Sequence, residues 1–387
     1  MNINPRITEI AATAVNWRRH LHGIPERLYQ VHETAKFVAG KLRAFGCDSV
    51  DTGIGETGVV GIIRGKRGAG PVIGLRADMD ALPIFETSGK PWASKAPGMA
   101  HSCGHDGHMA MLLGAAWYLA ENRDFEGTIV LIFQPAEEGG AGALAMIKDG
   151  LMERYQIQEV YGMHNMPGLL AGNFGIRPGS IMATSDQFSI KITGRGGHAA
   201  APHLGIDPVV AAAHVIVALQ SLISREIDPL KSIVISVTTL RGGDADNVIP
   251  DVVTLNGTIR THAKDVRDYA VRRFRELVTA TASAHQASTE INMEQGYPIV
   301  WNHPAQTVLA TKVATSVVGA DRVDGNVPPK MAGEDFSYML ESRPGAFIFL
   351  GSGDTPDLHS PAYDFNDEIL PVGIAYWVAL AQSVLSG

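Results

Sequence analysis

Short apolar runs alternating with amphipathic stretches constrain this chain more than any other feature. "GVVGIIRG" (58–65), "PVIGLRADMD" (71–80), "GTIVLIFQPAEE" (127–138) and "EVYGMHN" (159–165) are separated by helical patterns in "HMAMLLGAAWYLAEN" (108–122) and "GALAMIKDG" (142–150). Runs apolar throughout read as strands buried on both faces, and strand–helix alternation then predicts an α/β sheet. Upstream, "HETAKFVAGKLRAF" carries Phe37, Val38, Leu42 and Phe45 at near-helical spacing and is closed by Gly46.

From about residue 184 to 294 the pattern changes. "DQFSIKITGRGG" alternates Phe188, Ile190 and Ile192 with polar neighbours, as a half-exposed strand does. A helix in "DPVVAAAHVIVALQSLISRE", two strands, a charged amphipathic helix in "AKDVRDYAVRRFRELVTATASAH" and a strand in "STEINMEQ" follow. The order βαββαβ is that of the split βαβ sandwich, a ferredoxin-like α+β unit. Residues 184–294 therefore read as an inserted domain. "AFIFLGSG" (346–353) and the closing helical pattern return to the first sheet, so 1–183 and 295–387 form one discontinuous domain.

The 387 residues exceed what one small core needs, and 45% hydrophobic with 19% charged residues is the balance of an ordinary soluble globular protein. A formal charge of −8 without a Lys/Arg block argues against nucleic acid or a membrane surface as partner. The N-terminus lacks a secretory pattern and no stretch reads as a bilayer span, so no membrane association and cytoplasmic residence are the expectation. Two cysteines cannot make a disulfide framework. Cys47 reads as a small core residue, whereas Cys103 lies among histidines in "AHSCGHDGHM".

In open α/β sheets ligands bind beyond the carboxyl ends of the strands. Asp78 and Asp80, Glu137 and Glu138, His164, and His359 in "DLHSP" all follow apolar runs at such ends. Cys103 and His105, two positions apart in a Gly-containing loop, can face one ion, and the helix that follows favours a thiolate. Thiolate, imidazole and carboxylate together suit a transition metal rather than magnesium or calcium. With one member of the Glu137–Glu138 pair, Cys103, His105, His164 and His359 exceed the three protein ligands of a single catalytic zinc, which implies two ions. The other carboxylate is then free for general acid/base work on a hydrolytic water, and spacing does not say which is which. Taken singly these residues have plainer readings: a surface acid pair, a core histidine, or a nucleophilic Cys103 with His105 or His164 as base.

"RADMDALP", "HSCGHDGHMAMLLGAA", "FQPAEEGGAGA", "GMHN", "GRGGHAAAPH", "NVIPD", "GTIRT", "GEDFS" and "LHSP" occur in this order over essentially the whole chain. The set resembles the metal-dependent aminoacylase and carboxypeptidase family. It is most similar to the branch of bacterial hippurate hydrolases, N-acyl-amino-acid amidohydrolases and plant auxin-conjugate hydrolases. The resemblance implies a zinc-peptidase-like central mixed sheet flanked by helices, with the inserted domain as a lid and dimerisation domain. It implies Cys103, His105, Glu138, His164 and His359 as ligands of two divalent ions (Mn, Zn, Ni or Co), with Glu137 as general acid/base and Asp78 behind the ligands. The wider family's His-x-Asp motif has a metal-binding histidine; Arg76 stands there in this chain, so the zinc-type ligand set does not carry over.

On the inserted domain the resemblance implies His198 and Asn247 as donors to the oxyanion, and Arg260 with Gly333 as contacts of the substrate. An imidazolium or amide aimed at a developing oxyanion, and an Arg gripping a carboxylate, are chemically apt for those roles. The implied reaction is hydrolysis of an N-acyl-amino acid, hippurate first, in a homodimer or homotetramer built through the lid. Indole-acetyl conjugates and small peptides are the alternatives within the family, and a cysteine amidase using Cys103 is a remote one.

Overall fold

The computed structural model describes residues 3–385, which divide into two compact units. The first comprises the chain up to Ile181, Trp301–Pro328 and the chain from Asp335 onward; the second comprises Met182–Val300 and Pro329–Glu334. The second unit thus starts earlier and ends later than the expected 184–294, and it recaptures a short distant segment. Backbone pairing accounts for that: the Ala183 amide donates to the carbonyls of Lys330 at 3.1 Å and Ala332 at 2.9 Å.

The first unit is built on an eight-stranded mixed sheet. Its spatial order is Ser49–Ile54, Gly58–Arg64, Thr128–Gln134, Val72–Asp78, Glu159–Pro167, Gly345–Gly353, Phe174–Gly175 and Val323–Asp324. The strands from Thr128–Gln134 through Gly345–Gly353 run parallel to one another. Burial on both faces explains why these strands are apolar along almost their whole length. The parallel register aligns Asp78 with Gln134 and His164 with Phe349, so the polar residues of several strands emerge at one edge. Helix His105–Glu121, almost wholly buried, packs against helices Pro5–His22 and Leu370–Leu385.

The second unit is an antiparallel four-stranded sheet in the spatial order Ile233–Arg241, Val252–Thr261, Asp186–Thr193 and Ser288–Glu294. Numbered along the chain and read from the far edge, that is 4-1-3-2, the ferredoxin-like order. Phe188, Ile190 and Ile192 face its core, as their alternation predicts. The helix Lys264–Ala284 covers the core with Val266, Ala270, Phe274, Val278 and Ala282, one per helical turn.

The expectation that no segment could span a bilayer needs correction: Pro208–Glu226 and Asp367–Leu385 are long and apolar enough by length and composition. For Asp367–Leu385 a core position accounts for the apolarity, since most of it is buried in the first unit. Pro208–Glu226 packs Ala211, Ala212, Val215 and Leu219 against its own sheet and leaves Val209, Val210 and Val217 exposed.

Candidate metal centre

Four segments of the first unit deliver the candidate ligands. Gly104, in the left-handed region at φ 88°, caps helix His105–Glu121 and turns the chain between Cys103 and His105. A Cβ at Gly104 would lie 2.4 Å from Asn165 Oδ1 and 2.7 Å from the Tyr363 hydroxyl, so only glycine fits. Glu137 and Glu138 follow strand Thr128–Gln134, with Ala136 before them at φ 55°. His164 lies near the end of its strand, and His359, at φ 65°, is fixed by its amide donating to Ser102 O at 2.7 Å.

These groups converge. Ligand atoms of Cys103, Glu138 and His359 all lie within 4.8 Å of one another, as do those of His105, Glu137 and Glu138, and those of Asp78, His105, His108 and His164. Cys103 Sγ is 3.4 Å from His164 Nε2, and His359 Nε2 is 3.4 Å from Glu138 Oε1. His105 Nδ1 is 2.8 Å from the Asp80 carbonyl and His164 Nδ1 is 2.7 Å from the Asn165 carbonyl. A carbonyl only accepts, so each Nδ1 carries the proton and each Nε2 keeps its lone pair for the cluster. His105 Nε2 and Glu138 Oε1 are buried without a hydrogen-bond partner. Orphaned acceptors beside a thiol are the donor set of a transition-metal ion, and the residues present fit one.

His108 belongs to the same group but is already engaged: Nδ1 is 2.6 Å from Asp78 Oδ1 and Nε2 is 2.6 Å from Asn165 Oδ1. Asp78 also accepts from Arg76 Nη1 at 2.7 Å and stands 3.6 Å from His105 Nε2, the ring nitrogen turned to the cluster. Arg76, where the wider family has histidine, turns to Gln134 Oε1 at 2.8 Å and Asp335 Oδ1 at 3.1 Å.

The electrostatics ask for cations. Burial alone would depress the His105 imidazolium, but Asp78, Asp80 and Glu138 outweigh it and, with no ion at Nε2, raise its pKa to about 10, so that a second proton stands where a metal cation would displace it. Burial first, then Glu138, Glu137 and Asp78, push the Cys103 thiol well above its ordinary range. The expected help from the helix N-terminus is overwhelmed, and a nucleophilic thiolate is disfavoured unless an ion is beside it. Burial and the neighbouring His108 hold His164 well below the ordinary histidine range, so it offers no imidazolium to pair with a thiolate.

Two acids that the sequence placed only by position, Asp80 at a strand end and Asp335 in the "GEDF" segment, acquire a specific role here. Asp80, fully buried, accepts the Glu137 amide on one oxygen at 2.9 Å and the Glu138 amide on the other at 3.1 Å, and so aims both carboxylates. Its place two residues beyond Asp78 was the available signal. Asp335, in the "GEDF" segment, is buried and accepts from Arg76, Gln134 and the Ala143 amide. Its own amide reaches Glu137 Oε1 at 3.4 Å.

The remaining candidates belong to the second unit. His198 and Asn247 are exposed on a short ribbon in which Gly197–His198 pairs with Val248–Ile249. His198 Nδ1 accepts the Ala200 amide at 3.0 Å, which leaves Nε2 outward. Arg260 is half-buried on strand Val252–Thr261, and among the described residues its guanidinium has neither hydrogen bond nor ion pair. Burial lowers its pKa from the ordinary arginine value. A Cβ at Gly333 would stand 3.2 Å from Arg260 Nη1, so the glycine keeps that guanidinium accessible.

A buried cluster of thiol, imidazole and carboxylate donors at the carboxyl edge of a mixed α/β sheet defines a metal-dependent hydrolase. A sequence model of peptidase family M20/M25/M40 matches residues 74–383. The chain is 40% identical to a hippurate hydrolase of Campylobacter jejuni over the full length of both. It is 41% identical to an N-acetyl-L-cysteine deacetylase of Bacillus subtilis, over 94% of this chain and 86% of that one. It is 39% identical to an IAA-amino acid hydrolase of Arabidopsis thaliana, over 96% and 86%. Among solved structures, a dinuclear metal binding peptidase of the M20 family from Bacillus subtilis superposes with a TM-score of 0.84 at 34% identity, covering 98% of this chain and 99% of that one. The chain belongs to peptidase family M20/M25/M40 and is a metal-dependent amidohydrolase.

Proposed function

We propose that this protein hydrolyses the amide bond of N-acyl-L-amino acids at a centre of two divalent ions, Mn, Zn, Ni or Co, held by Cys103, His105, Glu138, His164 and His359. The convergence of lone pairs at His105 Nε2 and His164 Nε2 with Cys103 Sγ and Glu138 carries this reading. Two ions bound there would acidify a water and polarise the amide carbonyl. Glu137, held by Asp80 through its amide, takes the proton of the attacking water and returns it to the leaving nitrogen. Asp78 fixes His108, and the Asp80 carbonyl fixes His105. On the second unit, the Nε2 of His198 and the amide of Asn247 are donors for the developing oxyanion, and Arg260, without a partner among the described residues, takes the substrate carboxylate.

The relatives named above act on benzoyl, acetyl and indole-acetyl substrates by their names, and hippurate is the first substrate of this reading. A homodimer or homotetramer through the second unit, in the cytoplasm, completes it; the exposed Val209, Val210 and Val217 on one helix face support a second copy as occupant. The test is hydrolysis of hippurate, N-acetyl-methionine and indole-acetyl-alanine by protein stripped with chelator and then given Mn, Zn, Co or Ni. Recovery on add-back is expected. Activity indifferent to chelation would transfer the chemistry to Cys103.

A further inference from the structure

Helix Pro5–His22 contributes none of the candidate ligands and precedes the stretch matched by the family model. Its last turns nevertheless enter the interior with full charge. Arg18 is 0% exposed and forks onto Asp367, with Nε 2.7 Å from Oδ1 and Nη2 2.9 Å from Oδ2. Its Nη1 lies 2.9 Å from Asp364 Oδ1 and 3.7 Å from Asp106 Oδ2. His22, also 0% exposed, places Nδ1 2.8 Å from Asp106 Oδ2 and Nε2 3.2 Å from Glu86 Oε1.

The partners of these two residues sit beside the ligands. Asp106 follows His105 directly, and Asp364 and Asp367 close the segment that carries His359. Within that segment the Tyr363 hydroxyl accepts from Asn165 Nδ2 at 2.6 Å, next to His164. Glu86 continues the connection: its Oε2 accepts the Ser94 amide at 2.7 Å, and the nearby Thr87 amide donates to Pro361 O at 2.7 Å. His359 itself is 54% exposed at its side chain and has a left-handed backbone, so its position depends on how its segment is anchored.

We infer that Arg18 and His22 are positioning residues of the metal centre, fixing the His105 segment to the His359 segment through Asp106, Asp364 and Asp367. The inference rests on reading those histidines as ligands. Fork geometry on Asp367 removes rotational freedom that a point charge would leave, and His22 bridges two carboxylates from separate segments, Asp106 in the first turn of helix His105–Glu121 and Glu86 in a loop. Although burial opposes it, Asp106 and Glu86 raise the His22 pKa to about 10, so both ring nitrogens donate at neutral pH.

The test compares Co(II) dissociation constants by chelator competition, together with the Co(II) absorption spectrum, in the full chain and in His22→Gln, Arg18→Lys and Ile10→Val. Ile10 lies in the core on the same helix and serves as the control for general destabilisation. A tenfold or greater rise in Kd and an altered spectrum are expected for His22→Gln and Arg18→Lys, with Ile10→Val unchanged at a comparable loss in Tm. Should the two buried variants fail to fold, Asp364→Asn, only partly buried, takes their place with the same expectation. Affinity and spectrum equal to the wild type would overturn the inference and leave the metal reading intact. A wild type that binds no Co(II) would overturn both.

Discussion

The two units treat their reactive residues in opposite ways. In the first, Asp78, His108 and Asp335 are buried and their hydrogen bonds are made within the protein, whereas in the second His198 and Asn247 are exposed and, among the described residues, Arg260 has no partner. A buried charge must be paired, so burial fixes geometry before any substrate arrives. An exposed or unpaired donor keeps its capacity for a ligand. The contrast is the one the proposed function draws on, in which the first unit would hold ions and move protons and the second would supply donors to the substrate.

The strongest attack on that division is Glu137→Gln, which keeps the shape and removes the base. Turnover should fall by about 10³-fold, within the range of general acid/base contributions, with metal content by elemental analysis unchanged. Near-normal turnover would remove proton handling from the first unit. Arg260→Ala probes the other side. Loss of a charge-assisted hydrogen bond should raise KM for N-acyl-amino acids roughly 10- to 100-fold, with kcat altered far less and amidated substrates indifferent. Equal losses on acid and amide would make Arg260 a structural residue.

Gly333→Ala sharpens the same point with a smaller effect. The new Cβ, 2.9 Å from Ser185 Cβ and 3.2 Å from Arg260 Nη1, should displace the guanidinium and raise KM by a few-fold in the same direction. The smallest effect concerns the first unit alone. His22 has its pKa raised from 6.5 to about 10, so its stabilisation is complete below pH 6.5 and is lost as pH rises through 10. Glu86 is lowered from 4.5 to about 2, burial opposing and His22, Ser88 and the Ser94 amide prevailing, so the acid side of that contact is lost only as pH falls through 2. Between pH 6.5 and 10 the Tm of the wild type should therefore fall by a few degrees more than that of His22→Gln. Parallel curves would show that His22 is neutral in the folded protein.

Periodicity revealed the fold because both sheets announce themselves locally: strands apolar throughout in one, Phe188, Ile190 and Ile192 alternating in the other. It missed the recapture of Pro329–Glu334 because that depends on amide pairing with Ala183, which no periodicity records. In the site, residues whose type is diagnostic, such as Cys103 beside His105, were readable. Asp80 and Asp335 were readable as acids at a strand end and in a loop but not as the acceptors of the Glu137, Glu138 and Ala143 amides, since an acid's partners depend on tertiary placement. Arg18 and His22 were silent for the same reason, their carboxylate partners lying up to 349 positions away.

The strand Gly345–Gly353 lies between Glu159–Pro167 and Phe174–Gly175, yet it is made after the whole second unit. On the ribosome, Glu159–Pro167 therefore waits with one apolar edge open while nearly two hundred further residues emerge. The contiguous bulk of the second unit can mature first, whereas the proposed ligand set is incomplete until His359 has left the exit tunnel. On that reading loading with ions is a late event in the life of the chain, and a nascent product truncated before Gly345 would present an unpaired strand to its neighbours.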